Sequence, residues 1–114
     1  PGLRMASIEN GSTFLPDVIA KLRSTDKKMP GYFGEDPVLT LQRHWWINPF
    51  WEDDVNEVVE LMGADRVLFG SDWPHIEGMP APLDYLPELA KLTEAERRAV
   101  LLDNVVELNT PRPA

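Results

Sequence analysis

The sequence contains no cysteine and only two histidines among its 114 residues. The lack of cysteine excludes disulfides, thiolate metal ligands and a cysteine nucleophile, and two histidines cannot build a histidine-rich zinc site from this chain alone. Basic residues are few, with 11 Lys and Arg against 19 Asp and Glu, and the net charge of -8 disfavours contact with nucleic acid or an anionic membrane surface. No apolar run approaches the roughly 20 residues of a membrane helix, and no basic-then-apolar leader is visible. We therefore expect a cytoplasmic protein that binds neither nucleic acid nor membrane.

The composition that remains is globular, with 43% hydrophobic and 26% charged residues over the length of one domain. Short apolar runs alternate with helical patterns. Strands are predicted at residues 3–8, 39–48 and 66–70. Helices are predicted at residues 14–22, 54–62, 83–92 and 93–108, and the Pro- and Gly-containing residues 24–37 are predicted to form an extended surface loop. This order is typical of parallel βα units in an α/β fold.

Three parallel strands leave a structural problem. A parallel sheet is apolar on both faces and needs helices on both sides or closure into a barrel. A filled barrel needs about eight strands. The pattern therefore predicts either a small open sheet or part of a larger barrel.

The strongest local motif is the run from Phe69 to His75, Phe-Gly-Ser-Asp-Trp-Pro-His. Asp72 follows a buried strand at its carboxyl end, where α/β proteins place their sites. It could bind a divalent metal, orient a hydroxide or act as a general base, or it could merely cap the turn. His75 could share a metal with Asp72 or orient it, or it could be a solvated loop residue.

Other polar and aromatic side chains follow the predicted strands. Glu9 ends the first strand and Asn48 the second, so that both would reach the rim of Asp72 if the strands are parallel neighbours; Glu9 could equally be a solvated turn residue. Trp51 and Trp73 could line an apolar substrate pocket or serve only in packing. His44 lies at the opposite end of its strand and is not expected in a site.

The run from Arg66 to His75 resembles the last-strand motif of the amidohydrolase superfamily. It is most similar to the amidohydrolase 2 branch, which includes the aminocarboxymuconate semialdehyde decarboxylase-like enzymes. Further similarity covers most of the chain: the turn after Glu9 resembles that after strand six, His44 to Asp54 resembles strand seven with its loop, and the region around Asp103-Asn104 resembles the closing helix.

The resemblance implies a (β/α)₈ TIM barrel of which residues 1–114 form the C-terminal third, about strands six to eight with their helices. It implies a divalent metal, with zinc the expected ion, and a hydrolase or decarboxylase acting on a small carboxylic acid. Asp72 matches the strand-eight aspartate that binds the metal or handles a proton. Glu9 stands where the family's decarboxylases carry a histidine, which leaves the reaction type open. We expect Glu9, Asn48, Trp51, Trp73 and His75 to contact the substrate.

The family's His-x-His of strand one and its metal-binding histidine of strand five have no counterpart in this sequence. We therefore expect the isolated chain to hold metal weakly and to be inactive. Its expected partners are a small-molecule substrate and either the missing N-terminal part or further copies of the chain. The alternative is a non-catalytic α/β module that self-associates or binds a partner.

Overall fold

The computed structural model describes residues 2–111 of the chain. Within them, two three-residue strands are surrounded by short helices. The strands are β1 (Met5–Ser7) and β2 (Trp45–Ile47), and the α-helices are α1 (Leu15–Lys28), α2 (Pro37–His44), α3 (Val55–Met62), α4 (Glu94–Arg98) and α5 (Asn104–Asn109). Residues Ala64–Arg66 and Pro82–Leu89 form 3₁₀ helices, and the π-helical turn Ala99–Asp103 joins α4 to α5.

The strands lie parallel, and the third apolar run lies beside them. Ser7 of β1 is paired with Ile47 of β2, and Ile47 forms a single parallel bridge to Val67, supported by a 2.8 Å hydrogen bond from Leu68 N–H to the Ile47 carbonyl. Three consecutive segments are thus parallel neighbours, as the βα pattern predicts. The prediction of a full strand at residues 66–70 is wrong, because only one bridge forms.

Within the described residues the third segment has a strand on one side only, and it also bonds to the closing helix. In the π-helical turn the Asn104 N–H donates to the Ala99 carbonyl, which leaves the Val100 carbonyl to accept from Phe69 N–H at 3.1 Å. The Asn104 side chain donates to the carbonyls of Val67 and Ala64, each at 2.7 Å. The closing helix is therefore attached directly to the backbone of the third segment.

Two predictions about the region before β2 are wrong. The predicted strand 39–48 is reduced to β2, because α2 occupies residues 37–44: the Asp36 carboxylate caps it by accepting from Val38 N–H at 2.8 Å, and Pro37 suits a first turn. The predicted loop 24–37 is reduced to 29–36, since α1 extends to Lys28 with two lysines in its last turn, where they complement the helix dipole.

The later helices follow their predicted starts more closely. Asp54 caps α3 and Gly63 follows its last residue. Thr93 and Glu96 form the predicted capping box at the start of α4. The predicted helix 83–92 is instead a 3₁₀ helix, within which Pro87 has no N–H to donate to the α-helical pattern.

The hydrophobic core lies between the parallel segments and the helices that follow them. Ile47 and Val67 are fully buried, and they pack with residues of the surrounding helices, among them Leu15, Val55, Val58, Leu89 and Val100. The core therefore fixes the parallel segments against their helices and leaves their carboxyl ends at the surface.

Among the described residues, no helix has the length and apolar character needed to cross a membrane.

Replacing Asn104 with Ala tests the attachment of the closing helix. Asn104 is 3% exposed, and its loss would leave the carbonyls of Val67 and Ala64 without their donor. We expect the free energy of unfolding, measured by urea denaturation, to fall by about 1–3 kcal/mol. Asn109→Ala is the matched control, because the Asn109 amide makes one exposed bond to Val105 within the same helix. Equal effects of the two substitutions would contradict the role assigned to Asn104.

Candidate active site

The parallel arrangement brings three polar side chains to one edge. Glu9 lies two residues after β1, Asn48 directly follows β2, and Asp72 follows the segment that carries Val67. Glu9 and Asp72 both have left-handed backbone conformations, with φ of 57° and 55°. Such conformations are uncommon for residues other than glycine and concentrate at functional sites, so both strand ends turn sharply where their carboxylates lie.

The two carboxylates form a cluster with an imidazole. Glu9, Asp72 and His75 each offer one potential ligand atom, and these three atoms lie within 4.8 Å of one another. His75 Nδ1 is 3.8 Å from Glu9 Oε1. Oxygen and nitrogen donors in this combination are ligands for zinc and similar divalent ions.

The two carboxyl groups of the cluster affect each other's ionisation. The pKa of the Glu9 carboxyl is raised, first by its hydrogen bond with Asp72 and then by the negative charge of Asp72, while His75 acts in the opposite direction. Two carboxyl groups this close are most stable when one holds a proton. A bound cation would remove the repulsion that this proton relieves.

A tight loop positions His75 against Asp72. Its ends are joined by a 2.7 Å hydrogen bond from Met79 N–H to the Ser71 carbonyl, and His75 N–H donates to the Asp72 carbonyl at 2.9 Å. The chain passes close to itself at Gly78, where an added Cβ would lie 2.5 Å from the Asp72 carbonyl oxygen. A side chain at Gly78 would therefore displace the backbone that carries Asp72.

A cleft of about 630 Å³ opens beside the cluster. Five of the six residues predicted for the site line it: Glu9, Asn48, Trp51, Asp72 and His75. The sixth, Trp73, does not line the cleft, and its side chain is 73% exposed.

The side chains of Asn48 and Trp51 are held in place by hydrogen bonds. The Asn48 amide lies against Gly70, where an added Cβ would be 3.2 Å from its nitrogen, and it donates to the Leu68 carbonyl at 3.3 Å. The Trp51 indole N–H donates to the Glu77 carbonyl at 3.0 Å. Trp51 thus connects the loop after β2 to the loop after Asp72.

Sequence reasoning missed Phe50, Glu52 and Glu77, which also line the cleft. Glu52 belongs to an acidic run before α3 that is typical of a solvated helix start, and nothing marks Glu77 except its place two residues after His75. His44, which was not expected in a site, ends α2 away from the cleft, and its Nδ1 lies 2.8 Å from the Leu3 carbonyl oxygen.

Comparisons with known proteins identify the family to which the chain belongs. Residues 9–108 match the family model described as amidohydrolase. The chain is 42% identical to an amidohydrolase of Mycobacterium avium subsp. paratuberculosis K-10, with a TM-score of 0.87 over 93% of this chain. No curated protein matches the chain.

The chain belongs to the amidohydrolase family, and the resemblance to its amidohydrolase 2 branch is confirmed. It spans 28% of the length of the mycobacterial protein, so its helices and small sheet correspond to a segment of an amidohydrolase chain.

The raised pKa of Glu9 can be tested by an NMR titration of the metal-free chain. We expect the Glu9 carboxyl to titrate above the ordinary range of glutamate, and its pKa to fall in Asp72→Asn, because the repelling charge is then gone. Glu35 is the internal control: its pKa is lowered by the hydrogen bond from Arg43, and the substitution should leave it unchanged. A Glu9 pKa that is the same in both proteins would contradict the pairing.

Proposed function

We propose that residues 1–114 are the C-terminal third of a metal-dependent (β/α)₈ amidohydrolase, containing about strands six to eight. The observation that carries the proposal is the convergence of Glu9, Asp72 and His75 at the carboxyl ends of parallel segments. In (β/α)₈ enzymes the site is built at this end of the strands. The free edge of β1 would then pair with the preceding strand of the barrel.

The residues at this rim fit a divalent metal, and zinc suits their oxygen and nitrogen donors. Asp72 is the proposed ligand, with Glu9 and His75 close enough to contact the same ion or its water. The raised pKa of Glu9 supports a metal at this rim. It shows that the Glu9 and Asp72 carboxylates disfavour each other as anions, and a cation would stabilise both in that form. A metal at such a site lowers the pKa of bound water and polarises substrate oxygens.

The chain's own side chains have separable roles in this proposal. Asp72 accepts or returns a proton at its carboxylate, and the Glu9 carboxylate, 3.8 Å from His75 Nδ1, is a second group that can hold a proton. Trp51 and Asn48 position the substrate in the cleft. The whole enzyme would hydrolyse or decarboxylate a small carboxylic acid, and the isolated chain, without the remaining strands, would be inactive.

Three further properties remain predictions from the sequence. These are a cytoplasmic location, the absence of nucleic-acid binding, and association with the N-terminal part of the enzyme or with further copies of the chain. A substrate contact by Trp73 is proposed only for the whole enzyme, in which residues beyond this chain would complete the site.

The Asp72→Asn substitution in the whole enzyme tests the proposal. We expect kcat to fall by roughly 10²- to 10⁴-fold, because the amide can neither take up a proton nor bind metal as an anion. The circular dichroism spectrum should not change, since Asp72 is only half-buried and is not part of the hydrophobic core. Asp26→Asn, an exposed position in α1, is the matched control and should retain full activity. Full activity of the Asp72→Asn enzyme would overturn the proposal.

A further inference from the structure

The turn after β2 follows the middle one of the three parallel segments. It spans residues 50–53 and is closed by hydrogen bonds in both directions. Asp53 N–H donates to the Phe50 carbonyl at 3.1 Å, and Phe50 N–H donates to the Asp53 carboxylate at 3.0 Å. The next residue, Asp54, caps α3, in which Val55 is buried. Residues 50–53, called the bridging turn below, are therefore fixed to the core.

One side of the bridging turn contacts the turn that carries Glu9. The Phe50 ring lies against Gly11, where an added Cβ would be 2.9 Å from two atoms of the ring. Gly11 also has a left-handed backbone conformation, with φ of 61°, which favours glycine. Because no side chain fits between Gly11 and the ring, direct contact fixes the turn after β1 against the bridging turn.

The other side of the bridging turn contacts the rim loop, as residues 71–79 are called below. The rim loop is anchored at its base, where Met79 is buried in the core, but the side chains of residues 73–77 are exposed. The Trp51 indole N–H reaches this exposed part by donating to the Glu77 carbonyl at 3.0 Å. Segments with few buried contacts open locally at low cost, so a hydrogen bond from a fixed turn restrains the rim loop where it needs restraint.

We propose that Trp51 is a positioning residue that acts through its indole N–H. Its bond to the Glu77 carbonyl holds the rim loop against the bridging turn, and Phe50 holds the turn of Glu9 against the same bridging turn. The bridging turn thereby sets the position of His75 relative to Glu9. The inference deepens the proposed function, on which it rests in treating these side chains as parts of one active site. Because an indole has a single donor, a substrate would meet only the ring surface of Trp51.

Hydrogen exchange in the 114-residue chain tests this role without metal or substrate. Replacing Trp51 with benzothienylalanine keeps the size of the ring and removes the N–H. The amides of Gly78 and Met79 are bonded within the rim loop, and we expect their protection factors to fall about three- to ten-fold, as on loss of one ordinary hydrogen bond. The protection of the Gly63 amide at the end of α3 should not change.

Glu77→Gln is the matched control for the exchange measurement. The acceptor of the Trp51 bond is the backbone carbonyl of residue 77, which this substitution retains, so the protection factors of the rim loop should stay the same. Unchanged protection of Gly78 and Met79 in the benzothienylalanine protein, or an equal loss in Glu77→Gln, would overturn the proposal.

The link to the turn of Glu9 is tested by the indole N–H signal of Trp51, assigned by its absence in Trp51→Phe. Gly11→Ala forces the Phe50 ring to move and should shift this signal. Gly31→Ala is the matched control: its φ of 82° is also left-handed, but an added Cβ would meet nothing within 4 Å beyond its chain neighbours in the described part of the chain. A signal that responds equally to both substitutions, or to neither, would contradict the link through Phe50.

Kinetic constants of the whole enzyme separate positioning from substrate contact. Benzothienylalanine at position 51 retains the ring surface, so KM should stay unchanged while kcat falls about three- to ten-fold through misplacement of the rim loop. A raised KM with unchanged kcat would assign Trp51 to substrate contact alone and overturn the proposal. Reduced protection of the rim loop in an enzyme that binds no Zn²⁺ would instead contradict the proposed metal site and support the role of Trp51.

Discussion

The site depends on the hydrogen bonds that hold the segment around Val67 parallel to β2. On one side this segment is joined to Ile47, and on the other its backbone groups are bonded to the closing helix through Val100 and the Asn104 side chain. These bonds determine where the segment ends, and hence where Asp72 lies relative to Glu9. A π-helical turn that frees one carbonyl is a small irregularity in the helix, but it provides the acceptor that the Phe69 N–H requires.

Placing two carboxylates at one rim makes the charged state of the cluster unfavourable. The pKa of Glu9 is raised because Asp72 is beside it, and both residues have left-handed backbone conformations that cost energy. A fold gains nothing in stability from either feature. Both are understandable if the rim binds a cation or transfers a proton, which is the chemistry expected of an amidohydrolase.

Much of this arrangement could be predicted from the sequence, because parallel strands place their carboxyl ends on one edge. Glu9, Asn48 and Asp72 each follow an apolar run, and that position was enough to predict that they meet. The helix at 37–44 was missed because the aromatic run around Trp45 suggested a longer strand, although Asp36 before Pro37 is a recognisable helix start. Glu77 and the exposed position of Trp73 depend on the path of an irregular loop, which no periodic pattern describes.

The most direct test of the proposed metal site is a crystal structure of the whole protein with diffraction data on both sides of the zinc absorption edge. An anomalous peak is expected at about 2.0–2.2 Å from a carboxylate oxygen of Asp72, on the side that faces Glu9 and His75. A zinc peak elsewhere, with Asp72 bonded only to protein or water, would contradict the account.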